Sequence, residues 1–123
     1  MKIRIATRTS PLALLQTNQV ISLIESAEPS SVCEIIPIES EGDLTEAPLH
    51  LIGGKGLFVS KLEAALSNGD ADIAVHSLKD VPALLDPKFS IAATLSREDP
   101  SDAILLKDGI TFNDLGKNSR IGT

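Results

Sequence analysis

Aromatic side chains are scarce in this sequence, which contains three Phe and neither Trp nor Tyr. A core without large rings has to be filled by Leu, Ile, Val and Ala, which suits helices layered on a sheet. The scarcity disfavours a single-stranded nucleic-acid binder, since those proteins stack bases on aromatic rings. Cationic side chains are also few: the sequence has 11 Lys and Arg against 17 Asp and Glu, which gives a net charge of -6. We therefore expect no nucleic-acid partner.

Cysteine, histidine and long apolar runs are equally rare. The one cysteine, Cys33, excludes a disulfide framework within the chain, and its apolar, β-branched surroundings predict a core residue rather than a nucleophile. Two His at no useful spacing predict no metal site. No apolar run approaches the length of a membrane span and no targeting segment opens the sequence. These absences predict no membrane partner and a cytoplasmic location.

Strand-like and helix-like segments alternate through the first two thirds of the chain. Ser10 and Pro11 are a good N-cap and first helical residue, and Pro29 lies just beyond the expected helix end. The predicted apolar stripe of this helix is Leu12, Leu15, Val20, Leu23, Ile24 and Ala27. The predicted elements are strand Ile3–Thr7, this helix, strand Val32–Ile38, helix Leu57–Leu66 and strand Ile73–Val75. This order predicts an α/β fold with an open parallel sheet, right-handed crossovers and helices on both faces.

Polar residues follow each of the three predicted strands. Their clusters are Arg8 with Ser10, Ser40 with Asp43, and His76 with Lys79 and Asp80. The carboxyl ends of parallel strands share one edge, where open α/β sheets bind ligands. Three of these residues also have a plainer interpretation: Ser10 as a simple cap, Arg8 as a solvated loop residue and His76 as a hydrogen-bonded structural residue. Their shared edge favours a site that includes Lys79 and Asp80.

The pattern changes after Pro87. Further strands are predicted at Ser90–Leu95, Ala103–Leu106 and Ser119–Gly122, with one helical turn over Thr111–Leu115. We expect residues 1–98 to form a first α/β lobe and residues 99–123 to be the crossover and the opening of a second, incomplete lobe.

Four ordered motifs resemble the porphobilinogen deaminase (hydroxymethylbilane synthase) family. They are IATRTSPLA at Ile5–Ala13, GGKGLF at Gly53–Phe58, DIAVHSLKDVP at Asp72–Pro82 and REDP at Arg97–Pro100. The resemblance implies lobes like those of type II periplasmic binding proteins and a cytoplasmic transferase of tetrapyrrole (haem) biosynthesis. Such an enzyme deaminates four porphobilinogens and joins them head to tail into hydroxymethylbilane. It also implies porphobilinogen and the growing oligopyrrole as partners, and a monomeric full-length enzyme.

The resemblance also implies roles for individual residues. Asp80 matches the catalytic aspartate, which binds pyrrole N–H groups and stabilises developing positive charge. Arg8, Ser10 and Lys79 match groups that hold acetate and propionate side chains. The resemblance implies substrate or cofactor contacts less strongly for Ser77, Gln16 and Asp43. It also implies a flexible loop over the cleft at Gly42–Gly56, with Lys55 and Phe58 at its far hinge. The implied cofactor is dipyrromethane, held by a cysteine that this chain does not contain, and Cys33 lies in the wrong context to replace it.

The sequence departs from the family pattern in places. Ser40 and Ser101 stand where Thr and Arg are common, and the Ser-Ser-x-Arg-Arg segment that grips carboxylates is not present. We therefore expect the isolated chain to be inactive. The alternative is a non-catalytic small-anion-binding lobe of the periplasmic-binding type. A carboxylate such as Asp80 beside an anion site argues against it, because it would repel the anion.

Overall fold

The computed structural model describes residues 1–39 and 57–122, with the backbone alone over 57–59. The first part of the chain alternates strands and helices as predicted, with β1 at Lys2–Arg8, α1 at Pro11–Ala27, β2 at Val32–Ile38, α2 at Leu57–Ser67 and β3 at Ile73–Ala74. Single 3-10 turns follow at Leu78–Asp80 and Phe112–Asp114. Within the described ranges, neither helix is long and apolar enough to cross a membrane.

The three strands form a parallel sheet in the order β2-β1-β3. In the middle of β1, Ile5 lies opposite Ile35 on one side and Ile73 on the other. The β1–β2 ladder covers all seven residues of β1, whereas the β1–β3 ladder covers only Ile5 and Ala6. The predicted parallel sheet is confirmed, with β1 as its central strand.

The two helices cover opposite faces of the sheet. The hydroxyl oxygens of Thr7 on β1 and Thr17 on α1 lie 2.8 Å apart, and both residues are fully buried. Ala6, the neighbour of Thr7, packs instead in a buried cluster with Leu62 and Ala65 of α2. Successive side chains of a strand point to opposite faces, so α1 covers the Thr7 face and α2 the Ala6 face.

The apolar core is small and built from short side chains, as the lack of aromatics predicts. Ala6, Leu62, Ala65 and Ala71 form its buried cluster, with Leu66 among the partly buried residues packed against it. Leu62, Ala65 and Leu66 therefore form the inward face of α2.

Helix α1 begins as the sequence predicts but presents a different face to the sheet. Ser10 is the N-cap, and its Oγ accepts a hydrogen bond from the Ala13 N–H at 3.3 Å. The predicted apolar stripe is wrong at Leu12, Leu15 and Leu23, which are each more than half exposed, and at exposed Ala27. The buried polar contact of Thr17 with Thr7 sets the rotation of the helix. Ala13, Val20 and Ile24, which share the face of Thr17 at helical spacing, are only partly exposed.

A charged fork joins the start of β1 to the turn before β3. The Arg4 guanidinium donates from Nη2 to Asp72 Oδ1 at 2.7 Å and from Nη1 to the Gly69 carbonyl at 2.6 Å. Two further hydrogen bonds use backbone groups of the same residues. The Arg4 N–H donates to Asp72 Oδ2 at 2.7 Å, and the Asp72 N–H donates to the Arg4 carbonyl at 2.8 Å. Gly69 has a φ of 75°, a conformation that favours glycine. These hydrogen bonds hold the pKa of Asp72 below its usual value.

Residues beyond β3 contain no strand in the part that the structure describes. The strands predicted at Ser90–Leu95, Ala103–Leu106 and Ser119–Gly122 are therefore wrong there. A strand needs a neighbour to satisfy its backbone groups, and these apolar segments lie against none, so that Leu105 is 96% exposed. The predicted helical turn is confirmed as a 3-10 turn, closed by Thr111 and Asp114 in a capping box. The chain divides into compact units at Met1–Ala93 and Thr94–Thr123, and the predicted lobe boundary after residue 98 stays a prediction.

We expect Thr17→Val to destabilise the fold by about 1–3 kcal/mol, because it leaves the buried Thr7 hydroxyl without its partner. Urea unfolding measures the loss. Adding Thr7→Val should recover part of the stability, since two matched apolar groups carry no unpaired hydroxyl. The exposed Ser26→Ala variant is the control, and equal stability of Thr17→Val and Ser26→Ala would contradict the prediction.

We expect Asp72→Asn to lower the urea midpoint at pH 7 because it removes the charge that the Arg4 fork binds. The pKa of Asp72 is lowered in the folded state, so its contribution is present above pH 3.8 and is lost as the pH falls through the folded pKa. The difference in urea midpoint between the Asp72→Asn variant and the parent protein should therefore become smaller below pH 3.8. Glu34→Gln, which removes a single exposed ion pair with Lys2, should have little effect at either pH.

Candidate functional site

The carboxyl ends of β1 and β3 lie side by side. Beyond the two paired residues of β3, the Val75 N–H still donates to the Ala6 carbonyl at 3.0 Å, so the chain stays beside β1. It then turns at Leu78–Asp80, while β1 ends at Arg8 and leads into the N-cap of α1. Two of the three predicted polar clusters therefore share one edge, as expected for an open parallel sheet.

Arg8 and Asp80 form the charged centre of this edge. Arg8 Nη1 lies 4.0 Å from Asp80 Oδ2, and the two side chains are 21% and 31% exposed. This distance is too long for a hydrogen bond, so the two charges attract one another without a direct donor–acceptor contact. A carboxylate has about four acceptor positions, which leaves Asp80 able to accept from a ligand that enters the same place.

A tight turn fixes the position of Asp80. The Asp80 N–H donates to the Ser77 carbonyl at 2.9 Å, and the Val81 N–H donates to the Leu78 carbonyl at 3.1 Å. Pro82 disfavours helical geometry in the residue before it, which explains why the turn stops at Asp80. Lys79 lies in the same turn and is exposed, so its ammonium group is accessible to an anionic ligand.

A side-chain hydrogen bond ties this turn to helix α1. Ser77 Oγ donates to Gln16 Oε1 at 2.8 Å in a partly buried position. The sequence predicts both residues as site residues separately, and the structure brings them together. Because the contact uses the amide oxygen, the two N–H donors of Gln16 can face another acceptor.

His76 lies between β3 and the turn and is partly buried. Its Nε2 is fully buried and has no hydrogen-bond partner among the described residues, so the interpretation as a hydrogen-bonded structural residue does not hold for that nitrogen. Burial lowers the pKa of His76 below 6.5, while the Asp80 carboxylate raises it and the Arg8 cation lowers it. Folding therefore favours the neutral imidazole.

The remaining predicted site residues either make a different contact or lie outside the described residues. Ser10 lies beside it, but its oxygen is engaged in the helix cap. Asp43, Lys55 and the side chain of Phe58 lie outside the described residues, as does Ser40.

The lone cysteine lies at the opposite end of the sheet. Cys33 pairs with Ile3 at the amino end of β2. It stands five residues before the end of that strand, or about 17 Å along it at roughly 3.3 Å per residue. Cys33 is therefore badly placed to hold a group at Asp80. Among the residues that the structure describes, no group of three His, Cys, Asp or Glu could hold a metal ion.

A shallow groove on the outer side of α1 has no comparable chemistry. Its volume is about 530 Å³, and its lining side chains carry no charge: Pro11, Leu14, Leu15, Asn18, Gln19 and Ser22. The edge at Arg8 and Asp80 offers both signs of charge and is therefore the stronger candidate site.

The family model and the individual relatives that match this sequence all name the same family. Residues 3–123 match the family model described as porphobilinogen deaminase, dipyromethane cofactor binding domain. The chain is 45% identical over 122 residues to porphobilinogen deaminase of Stenotrophomonas maltophilia (strain K279a), covering 98% of this chain and 40% of that protein. Porphobilinogen deaminase of Rickettsia bellii (strain OSU 85-389) is 48% identical over 122 residues, again 98% of this chain and 41% of its own length. The chain thus spans about 40% of the length of the curated relatives it matches.

We expect His76 to make the folded chain lose stability in mild acid. Its pKa is lowered by folding, so the unfolded state binds more protons as the pH falls below 6.5 and the stability falls with it until the folded pKa is passed. Replacing His76 by Asn should flatten this pH dependence, whatever it does to stability at pH 8. Urea midpoints measured from pH 8 to 5 test this, with His50→Gln as the matched control, and an unchanged slope in His76→Asn would refute it.

Proposed function

Because the chain belongs to the porphobilinogen deaminase family, we propose that it supplies the catalytic carboxylate of porphobilinogen deamination and condensation. The observation that carries the proposal is Asp80, held on a fixed turn 4.0 Å from Arg8 at the carboxyl edge of the sheet. The reaction joins four porphobilinogens head to tail into hydroxymethylbilane, with loss of ammonia from each.

Asp80 acts on the charge that develops as ammonia leaves. Departure of the amine puts positive charge on the pyrrole ring and its methylene carbon. An ionised carboxylate beside the ring stabilises that charge most strongly in the transition state, where the charge is largest. The same oxygens accept hydrogen bonds from pyrrole N–H groups and so orient the ring before it reacts.

The cations around Asp80 suit the acidic side chains of the substrate. Porphobilinogen carries an acetate and a propionate, and the chain as a whole is negatively charged at -6. Binding must therefore rely on local donors, for which Arg8, at the end of β1, and the exposed Lys79 are placed. Hydrogen bonds from charged donors to carboxylates are stronger than neutral ones. Ser10 contributes from the N-terminus of α1.

The same residues fit the dipyrromethane cofactor of the family. It presents pyrrole N–H groups, which Asp80 can accept, and carboxylates, which Arg8 and Lys79 can bind, while Ser77 and Gln16 support the turn. When bound, the cofactor supplies the free pyrrole α-carbon to which the first substrate is joined. The structure offers no thiol near Asp80 among the described residues, since Cys33 lies at the amino end of β2. We propose that the attachment lies in another part of the complete enzyme.

The remaining proposals concern the larger assembly. The sheet order and the flanking helices support a lobe of the type II periplasmic-binding-protein kind over residues 1–98, with residues 99–123 opening a second lobe. We propose Asp43, Lys55 and Phe58 as further contacts from the loop region, a cytoplasmic location and a monomeric full-length enzyme. These 123 residues by themselves are proposed to be inactive.

A chimera tests the function. Residues 3–123, which match the family model, replace the corresponding segment of the Stenotrophomonas maltophilia relative, and the product is incubated with porphobilinogen and assayed for uroporphyrin. We expect turnover, which Asp80→Asn should reduce by roughly 10²–10³ in kcat because a transition-state contact is lost. Glu34→Gln is the matched acidic control and should keep full turnover, since Glu34 lies on the exposed edge strand β2.

Two outcomes would count against the proposal. One is a folded chimera with no turnover, and the other is an Asp80→Asn chimera as active as Glu34→Gln. The 123-residue chain alone should give no uroporphyrin in the same assay, and measurable turnover would overturn the proposed inactivity.

A further inference from the structure

We propose that Lys61 of helix α2 is a further substrate-binding residue, which holds a carboxylate of porphobilinogen on the β2 side of Arg8. The proposal rests on the proposed function for the identity of the ligand. It adds a residue from the second helix to a site otherwise built from β1, α1 and the turn after β3. The contact that carries it is a hydrogen bond of 3.0 Å from Lys61 Nζ to the carbonyl of Glu39.

This hydrogen bond places the Lys61 ammonium group at the carboxyl end of β2. The strand ends at Ile38, and Glu39 is the next residue. In the ladder between β1 and β2, Ile38 lies opposite Arg8. Neighbouring strands of a sheet are about 4.8 Å apart. Lys61 therefore reaches the sheet one residue beyond the strand partner of Arg8.

Arg8 and Lys61 also lie on the same face of the sheet. Ala6 packs with Leu62 of α2, and Ile38 packs against the same cluster. Side chains two residues apart in a strand share a face, so Arg8 leaves β1 on the face that α2 covers. Leu62 is 1% exposed and holds the neighbouring Lys61 beside the sheet. The two cations thus share both an edge and a face.

The ammonium group of Lys61 can still bind an anion. Lys61 is exposed, and the Glu39 carbonyl uses one of its three N–H donors, which leaves two for a ligand. Among the residues that the structure describes, Lys61 forms no ion pair. The other charged residue of α2, Glu63, is two positions further along the helix and so does not face Lys61.

The carboxyl edge then carries three cations in the order of the strands. Lys61 lies at the end of β2, Arg8 at the end of β1, and Lys79 on the turn after β3. Asp80 lies on that same turn. A pyrrole ring whose N–H is bound by Asp80 can therefore direct a carboxylate toward Arg8 and Lys61, away from the charge of Asp80.

The test is a titration of the isotope-labelled 123-residue chain with porphobilinogen, followed by its amide NMR shifts. We expect saturable binding, which Lys61→Met should weaken roughly 5- to 20-fold in Kd because a charged donor to the carboxylate is lost. Lys61→Arg keeps the charge and should restore most of the affinity. Lys2→Met is the matched control and should leave Kd unchanged, since Lys2 is an exposed lysine at the amino end of β1.

A second ligand separates recognition of the carboxylate from a structural effect of the substitution. A pyrrole with an aminomethyl group but no carboxylate should bind Lys61→Met as well as it binds the parent chain. A lysine that only caps the Glu39 carbonyl would instead affect both ligands equally, or neither. If the second ligand binds too weakly to titrate, the rescue by Lys61→Arg decides.

Three results would overturn the proposal. They are no binding of porphobilinogen by the parent chain, equal Kd values for Lys61→Met and Lys2→Met, and equal weakening of both ligands by Lys61→Met. Dispersed NMR spectra establish that each variant is folded. If Lys61→Met does not fold, Lys61→Gln takes its place, and failure of both to fold would assign Lys61 to the fold and overturn its role in binding. Binding is measured without turnover, so this test can fail while the chimera succeeds, and the reverse.

Discussion

The fork between Arg4 and Asp72 is the contact on which the geometry of the site depends. The ladder between β1 and β3 covers two residues, too few to fix the approach of the following chain by itself. Arg4 adds bonds to the Asp72 carboxylate and the Gly69 carbonyl just before that ladder, and Val75 bonds to Ala6 just after it. Together these contacts set the register that brings Asp80 beside Arg8.

Most of the fold around the site could be predicted because its signals are local. The N-cap at Ser10, the apolar run of β2 and the alternation of strands with helices each follow from a few neighbouring residues. The rotation of α1 could not, because a buried polar pair, Thr7 and Thr17, outweighs the leucine pattern. The strands predicted after Pro87 failed for a related reason, since apolar content predicts a strand only where a neighbour is present.

For the candidate site, the sequence predicts which strand ends meet but not how the individual side chains are oriented. A parallel sheet places Arg8 and Asp80 at one edge, so topology alone predicts their proximity. The bond between Ser77 and Gln16 and the buried Nε2 of His76 depend on side-chain directions that no spacing specifies. The site therefore combines charges that the sequence locates with neutral groups whose orientation only the fold provides.

The brevity of β3 has a consequence for motion. A segment held to its neighbour by two ladder residues and a few side-chain contacts can detach at a lower free energy than the seven-residue pairing of β1 with β2. Backbone amides from Ile73 to Val81 should then exchange with solvent through openings that leave the rest of the sheet intact. The Asp80 carboxylate thus lies on the turn that follows the least firmly attached strand of the sheet, next to the Arg8 cation at the end of the most firmly attached strand.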